Sequence, residues 1–149
     1  MLEADLHRLH VDRDREVQCL DGIQECMPTL YAMRLLPATG TLYDIYLFGD
    51  GRQPAVQWAR EQFMAQMQAN PPAALVVVSG FFLEQESGYQ KLANWPAFAS
   101  DLNQNYSLSV ERRPPHLVRW WSRPQAPAGY RIYLRRQRAE ALPDPAPLR

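Results

Sequence analysis

Apolar residues along this chain recur at two spacings, and the change from one to the other marks out its elements. Leu2, Leu6 and Leu9 stand three and four apart, which predicts a short amphipathic helix over residues 2–11. Val17-Gln18-Cys19-Leu20 reads as a short strand ending at the Asp21-Gly22 turn. Ile23, Met27, Leu30 and Tyr31 return to helical spacing and predict a helix over residues 22–34. Asp21 is placed to cap it, and Pro28 marks either its start or a kink. After the Pro37–Gly40 turn, Leu42–Phe48 mixes aromatic and aliphatic residues as a strand does, up to Gly49-Asp50-Gly51. The clearest helix is 54–69, with Val56, Ala59, Phe63, Met64 and Met67 on one stripe, stopped by Asn70-Pro71-Pro72. Leu75–Val78 is continuously apolar, the mark of a central strand buried on both faces. Helical spacing over 88–104 is divided at Trp95-Pro96, with a second helix starting at Pro96. Ser107–Arg112 is a strand, and Leu117–Ser122 and Tyr130–Arg135 are two more, set apart by Pro-rich turns. The tail after Arg138 has three prolines in its last seven residues and is expected to be disordered.

Strands alternating with helices of this length favour parallel crossovers. The expected fold is a three-layer, Rossmann-like α/β domain with a mainly parallel sheet and a C-terminal antiparallel edge. Residues 1–138 are expected to form a single α/β domain, opening with an N-terminal helix and loop over 1–14, and 139–149 a Pro-rich tail. At 149 residues, 46% hydrophobic and 21% charged, the composition is that of an ordinary globular domain.

Charge changes the picture more than composition does. The chain is formally neutral, which excludes a uniformly basic nucleic-acid binder. Residues 1–110 nevertheless carry 7 basic and 13 acidic side chains, whereas 111–138 carry 8 Arg against Glu111 alone. Arg112, Arg113, Arg119, Arg123 and Arg131, interleaved with Trp120 and Trp121, form a candidate face for an anionic ligand or membrane surface. The competing reading is an edge hairpin with Arg outward and aromatics inward. The longest uninterrupted apolar run, Ala73–Val78, is too short to span a bilayer, and the N-terminus carries acids where a secretory signal carries positive charge. The chain by itself is therefore expected to be soluble and without a signal peptide.

Several small constellations invite chemistry. No glycine-rich phosphate cradle follows the first strand, so no nucleotide cofactor is expected. Asp12-Arg13-Asp14 matches a metal-holding Asp-x-Asp pattern but precedes the first strand, away from the strand ends where ligands bind; a charged loop is the plainer reading. His7 and His10 lack a third ligand nearby, and no metal site is assigned. Cys19 and Cys26 either pair in an oxidising compartment or are buried free thiols. Ser79 follows the central strand without a nucleophile elbow around it and reads as a turn-former, so no catalytic residue is assigned. Asn105-Tyr106-Ser107 fits a glycosylation sequon.

Longer phrases carry a resemblance. Val17–Asp21, Thr39-Gly40-Thr41-Leu42-Tyr43-Asp44, the run Met67–Val78 through Asn70-Pro71-Pro72, Leu92–Phe98, Asn105-Tyr106 and the closing Tyr130-Arg131-Ile132-Tyr133 are its main elements. Together, over residues 15–136, they resemble the soluble C-terminal domain of bacterial polytopic membrane glycosyltransferases of the dolichyl-phosphate-mannose mannosyltransferase type. The resemblance implies a detached or truncated extracytoplasmic domain on the periplasmic face of the inner membrane, whose catalytic acids lie in a membrane portion with no counterpart here. It implies a noncatalytic accessory role, inactive alone, beside a transmembrane portion that uses a lipid-linked sugar donor, or against lipid headgroups. No specific nucleic-acid partner is expected. The alternative is a stand-alone α/β binding or interaction module.

Overall fold

The computed structural model describes residues 1–22, 25–79, 89–113 and 129–139. Four strands, β1 (Val17–Leu20), β2 (Ala74–Val78), β3 (Tyr106–Arg112) and β4 (Tyr130–Arg135), form one sheet in the order β1-β2-β4-β3. β1 and β2 are parallel, with Cys19 opposite Val76, while β4 runs antiparallel to both β2 and β3. The chain is α/β, and its small sheet is mixed.

Helices cover both faces. Alternate strand residues Val17, Cys19, Val76, Ile132 and Leu134 face a core completed by α1 (Leu2–Arg8) and α2 (Cys26–Ala32). Leu20, Leu75, Val77 and Tyr133 face the opposite core. That second core is closed by α3 (Ile45–Phe48), α4 (Pro54–Ala69), a 3-10 turn over Gln90–Asn94, and α5 (Pro96–Asn105). A final short helix, α6 (Arg136–Ala139), follows β4 directly. Among the described residues no helix is long and apolar enough to cross a membrane.

Most expected elements stand near their predicted bounds; α4 matches at both ends, and Pro54 sits in its first turn where no amide partner is lost. Pro28 occupies the first turn of α2, so that helix starts at Cys26 and has no kink to explain. Two expectations are corrected. Leu42–Phe48 is not a strand: burial falls at Asp44, Leu47 and Phe48, a helical spacing, and the amides of Leu47 and Phe48 donate to the Asp44 carbonyl at 2.8 and 3.0 Å. The sheet is not mainly parallel either, because β4 inserts between β2 and β3. Burial explains the insertion: β4 hides four of its six residues, whereas β3 exposes its middle and bulges between Leu108 and Val110, as suits an edge. The expected strand Leu117–Ser122 and the tail 140–149 lie outside the described residues.

Candidate functional site

In parallel α/β units the carboxyl ends of the strands are where polar side chains converge. At the end of β1 the chain turns at Asp21, whose carboxylate accepts the amides of Glu25 and Cys26 at 2.8 and 2.7 Å. This caps α2 as the sequence led one to expect. Cys26, the first residue of that helix, is joined to Cys19 of β1 by a disulfide, with Cα atoms 5.7 Å apart. Strand, turn and helix are thus locked within eight residues by one covalent and two charge-assisted links.

Beside this turn lies a buried cation. Lys91, the only lysine among sixteen basic residues, is 1% exposed. Its Nζ donates to the Leu20 carbonyl at 3.0 Å and to Asp44 Oδ2, and Asp44 is as deeply buried. Burial pushes the Asp44 carboxyl up against the pull of the ammonium, and pushes the Lys91 ammonium down against the pull of the carboxylate. The amide of Asp44 closes the group by donating to the Asp21 carbonyl at 3.2 Å. This arrangement ties the end of β1 to α3 and the 3-10 turn, three segments far apart in sequence. It holds no donor or nucleophile out to solvent.

Around the pair stands an aromatic wall of Phe48, Phe63, Trp95 and Phe98, with ring centroids 5.1–6.2 Å apart. Arg60 closes its outer side. Its guanidinium donates to the carbonyls of Leu47, Gly49 and Asn94 and lies 5.1 Å from the Trp95 ring centroid. A side chain at Gly51 would meet that guanidinium at 2.6 Å, so glycine suits this turn.

Comparison of the chain with protein-family models, with curated proteins and with solved structures finds no match.

The arginines of the candidate anionic face are not all available. Arg112 grips buried Asp5 with two hydrogen bonds of 2.9 and 2.8 Å, and the Tyr130 hydroxyl donates to the same carboxylate at 2.8 Å. The Arg112 contact holds the Asp5 carboxyl below its usual range, despite burial. Arg131 pairs with Glu111 at 2.8 Å and lies 3.9 Å over the Tyr89 ring, whose hydroxyl burial pushes up to about 12. Arg113 is exposed, and Arg119, Arg123, Trp120 and Trp121 lie outside the described residues.

The other sequence candidates serve the scaffold. Ser79 Oγ accepts the Gly129 amide at 2.7 Å while the Ser79 amide donates to the Gly129 carbonyl, joining the ends of β2 and β4. Asp12 and Asp14 are engaged apart from each other, by His7 at 2.9 Å and by the Leu36 amide at 2.9 Å. Sequence reasoning missed Lys91. The available signal was compositional: a single Lys stands among fifteen Arg.

Proposed function

We propose that this chain is a noncatalytic, extracytoplasmic accessory domain of a bacterial membrane glycosyltransferase using a lipid-linked sugar donor, held at the periplasmic face of the inner membrane. The Cys19–Cys26 disulfide carries this reading, because such bonds persist in oxidising compartments and are rare in the cytoplasm. Two observations support it. The phrases that resemble this family fall on core elements: β1, β2, the Trp95–Phe98 wall and β4. The polar groups at the end of β1 also satisfy one another, which suits a scaffold more than turnover.

In this reading the fold is a reduced three-layer Rossmann-like form that keeps one parallel pair. Its partners are the enzyme's transmembrane portion and the phosphate-bearing headgroups beside it, approached by the basic segment after Val110.

The source DNA upstream of Met1 tests the proposal. In-frame coding for hydrophobic helices is expected; an in-frame stop codon with no such helices encoded nearby overturns the reading. The chain alone is expected to transfer no sugar from a lipid-phosphate donor, and measurable transfer overturns its noncatalytic part.

A further inference from the structure

The end of the sheet opposite Lys91 bears a pocket of about 560 Å³, in the size range of small-ligand sites. Three arginines from three segments reach it: Arg15 before β1, Arg135 at the end of β4 and Arg138 in α6. Arg138 is committed, donating to Glu16 at 2.8 Å and to the His10 carbonyl. The guanidiniums of Arg15 and Arg135 have no hydrogen-bond or ion-pair partner among the described residues, although two carboxylates line the same pocket. Those carboxylates are occupied elsewhere: Glu16 by Arg138 and the Arg13 amide, Asp14 by the Leu36 amide.

The backbone around Arg15 is unusual. Its φ is 62°, a left-handed conformation that non-glycine residues seldom adopt. The Arg15 amide donates to the Leu36 carbonyl at 2.9 Å, and Asp14 accepts the Leu36 amide in return, so the conformation is held from both sides. Arg135 is fixed as firmly, its amide donating to the Ala73 carbonyl at 2.9 Å. Two fixed backbones thus bring to one pocket two guanidiniums that have no hydrogen-bond or ion-pair partner among the described residues. Left-handed residues held by their surroundings often belong to binding sites.

We propose that this pocket binds a singly charged phosphodiester carrying a polyol, the chemistry of a glycerol- or sugar-phosphodiester headgroup. Arginine forks match phosphate oxygens in pairs. The formal balance of three guanidiniums against two carboxylates is one positive charge, which a monoanion neutralises and a dianion overfills. The carboxamide of Asn70 on the rim has no other described side-chain partner and suits a hydroxyl. The site lies outside the candidate face in 112–131 and does not rest on the accessory-domain reading.

The test titrates the full 149-residue chain at low salt with three probes: monomeric dihexanoyl-phosphatidylglycerol, inorganic phosphate, and vesicles of phosphatidylglycerol in phosphatidylcholine. NMR is expected to show saturable shifts at Arg15, Asn70 and Arg135 with the short-chain diester, and weaker binding of inorganic phosphate. Arg15→Gln and Arg135→Gln, which break no pair among the described residues, should each weaken diester binding by about tenfold, the usual loss of a charge-assisted contact. Arg52→Gln, an exposed control outside the pocket and outside the candidate anionic face, should leave it unchanged. Retained vesicle binding through the same residues would identify a lipid source, and diester binding without vesicle binding a free one; both support the site. Four results overturn it: no shifts at these residues, diester affinity indifferent to the two variants, equal weakening by Arg52→Gln, or phosphate binding as tightly as the diester.

Discussion

Replacing Lys91 with methionine isolates the buried pair, since methionine fills a similar volume and leaves little cavity. The variant removes the donor to the Leu20 carbonyl and to Asp44 Oδ2. Asp44 Oδ1 already has no hydrogen-bond partner, so the variant carboxylate stands buried with neither oxygen satisfied. Removing one member of a buried pair costs about 3–5 kcal/mol, a large share of the ~5–15 kcal/mol that holds a domain folded. Replacing both, as Lys91→Met with Asp44→Leu, removes the stranded charge and should recover most of the loss, the Leu20 carbonyl still lacking its Lys91 donor. The pH dependence has a definite sign. Without its counter-charge, Asp44 takes a folded-state value still further above 3.8, its unperturbed value. A carboxyl raised in this way favours folding while protonated, so the Lys91→Met deficit is smallest below that value and grows as pH rises through the folded one. Urea unfolding followed by circular dichroism at pH 4 and pH 7 measures the parent, Lys91→Met, the single variant Asp44→Leu and the double variant. A single-variant loss under about 1 kcal/mol at pH 7, or a double-mutant cycle without coupling, would refute the reasoning.

Asp5→Asn is expected to cost about 2 kcal/mol at neutral pH, because Asp5 accepts from Arg8, Arg112 and Tyr130 while the exposed part of Arg112 is screened by solvent. The folded-state value of Asp5 is lowered, so this stabilisation is present above 3.8 and fades as pH falls through the lower folded value. Thermal melts should show the gap between parent and variant closing in acid, and a gap that stays constant contradicts the assignment. Reducing the Cys19–Cys26 bond, which spans a separation of 7, should lower stability by about 2.5 kcal/mol on loop-closure grounds. Equilibrium unfolding with and without reductant checks this, and cysteines alkylated before any reductant is added would show the bond absent.

Much of the fold was legible because local pattern and tertiary environment agree. Leu75–Val78 is apolar at every position and takes the central place its composition demands, and 54–69 carries one apolar stripe and forms one helix. The reading failed where two patterns overlap. Leu42–Phe48 has aromatic and aliphatic residues consistent with either spacing, and the deciding contact, Asp44 with Lys91, joins positions separated by 47 residues. The antiparallel strand was expected at the C-terminal edge, whereas the greater apolar content of Tyr130–Leu134 over Ser107–Glu111 draws β4 inward. The basic pocket is invisible to motif reasoning for a related cause: Arg15 and Arg135 meet only at the end of a sheet whose strand order neither specifies.

A buried glutamine in an otherwise apolar strand has a consequence for assembly. Gln18 accepts both the amide and the hydroxyl of Thr39 at 2.8 Å and donates to the Thr41 carbonyl at 3.2 Å, so one carboxamide holds the 39–41 loop along the outer side of β1. The Ala38 amide, donating to the Val17 carbonyl at 2.8 Å, seals the same margin. Among the described residues β1 and β3 are the two edge strands, and the outer side of β1 is bordered by this loop. A sheet sealed on one margin and open on the other can join a second copy about a two-fold axis and then stop, because neither partner offers a further edge. The glutamine therefore holds the chain's own loop where, on β1, a second strand would otherwise have to pair.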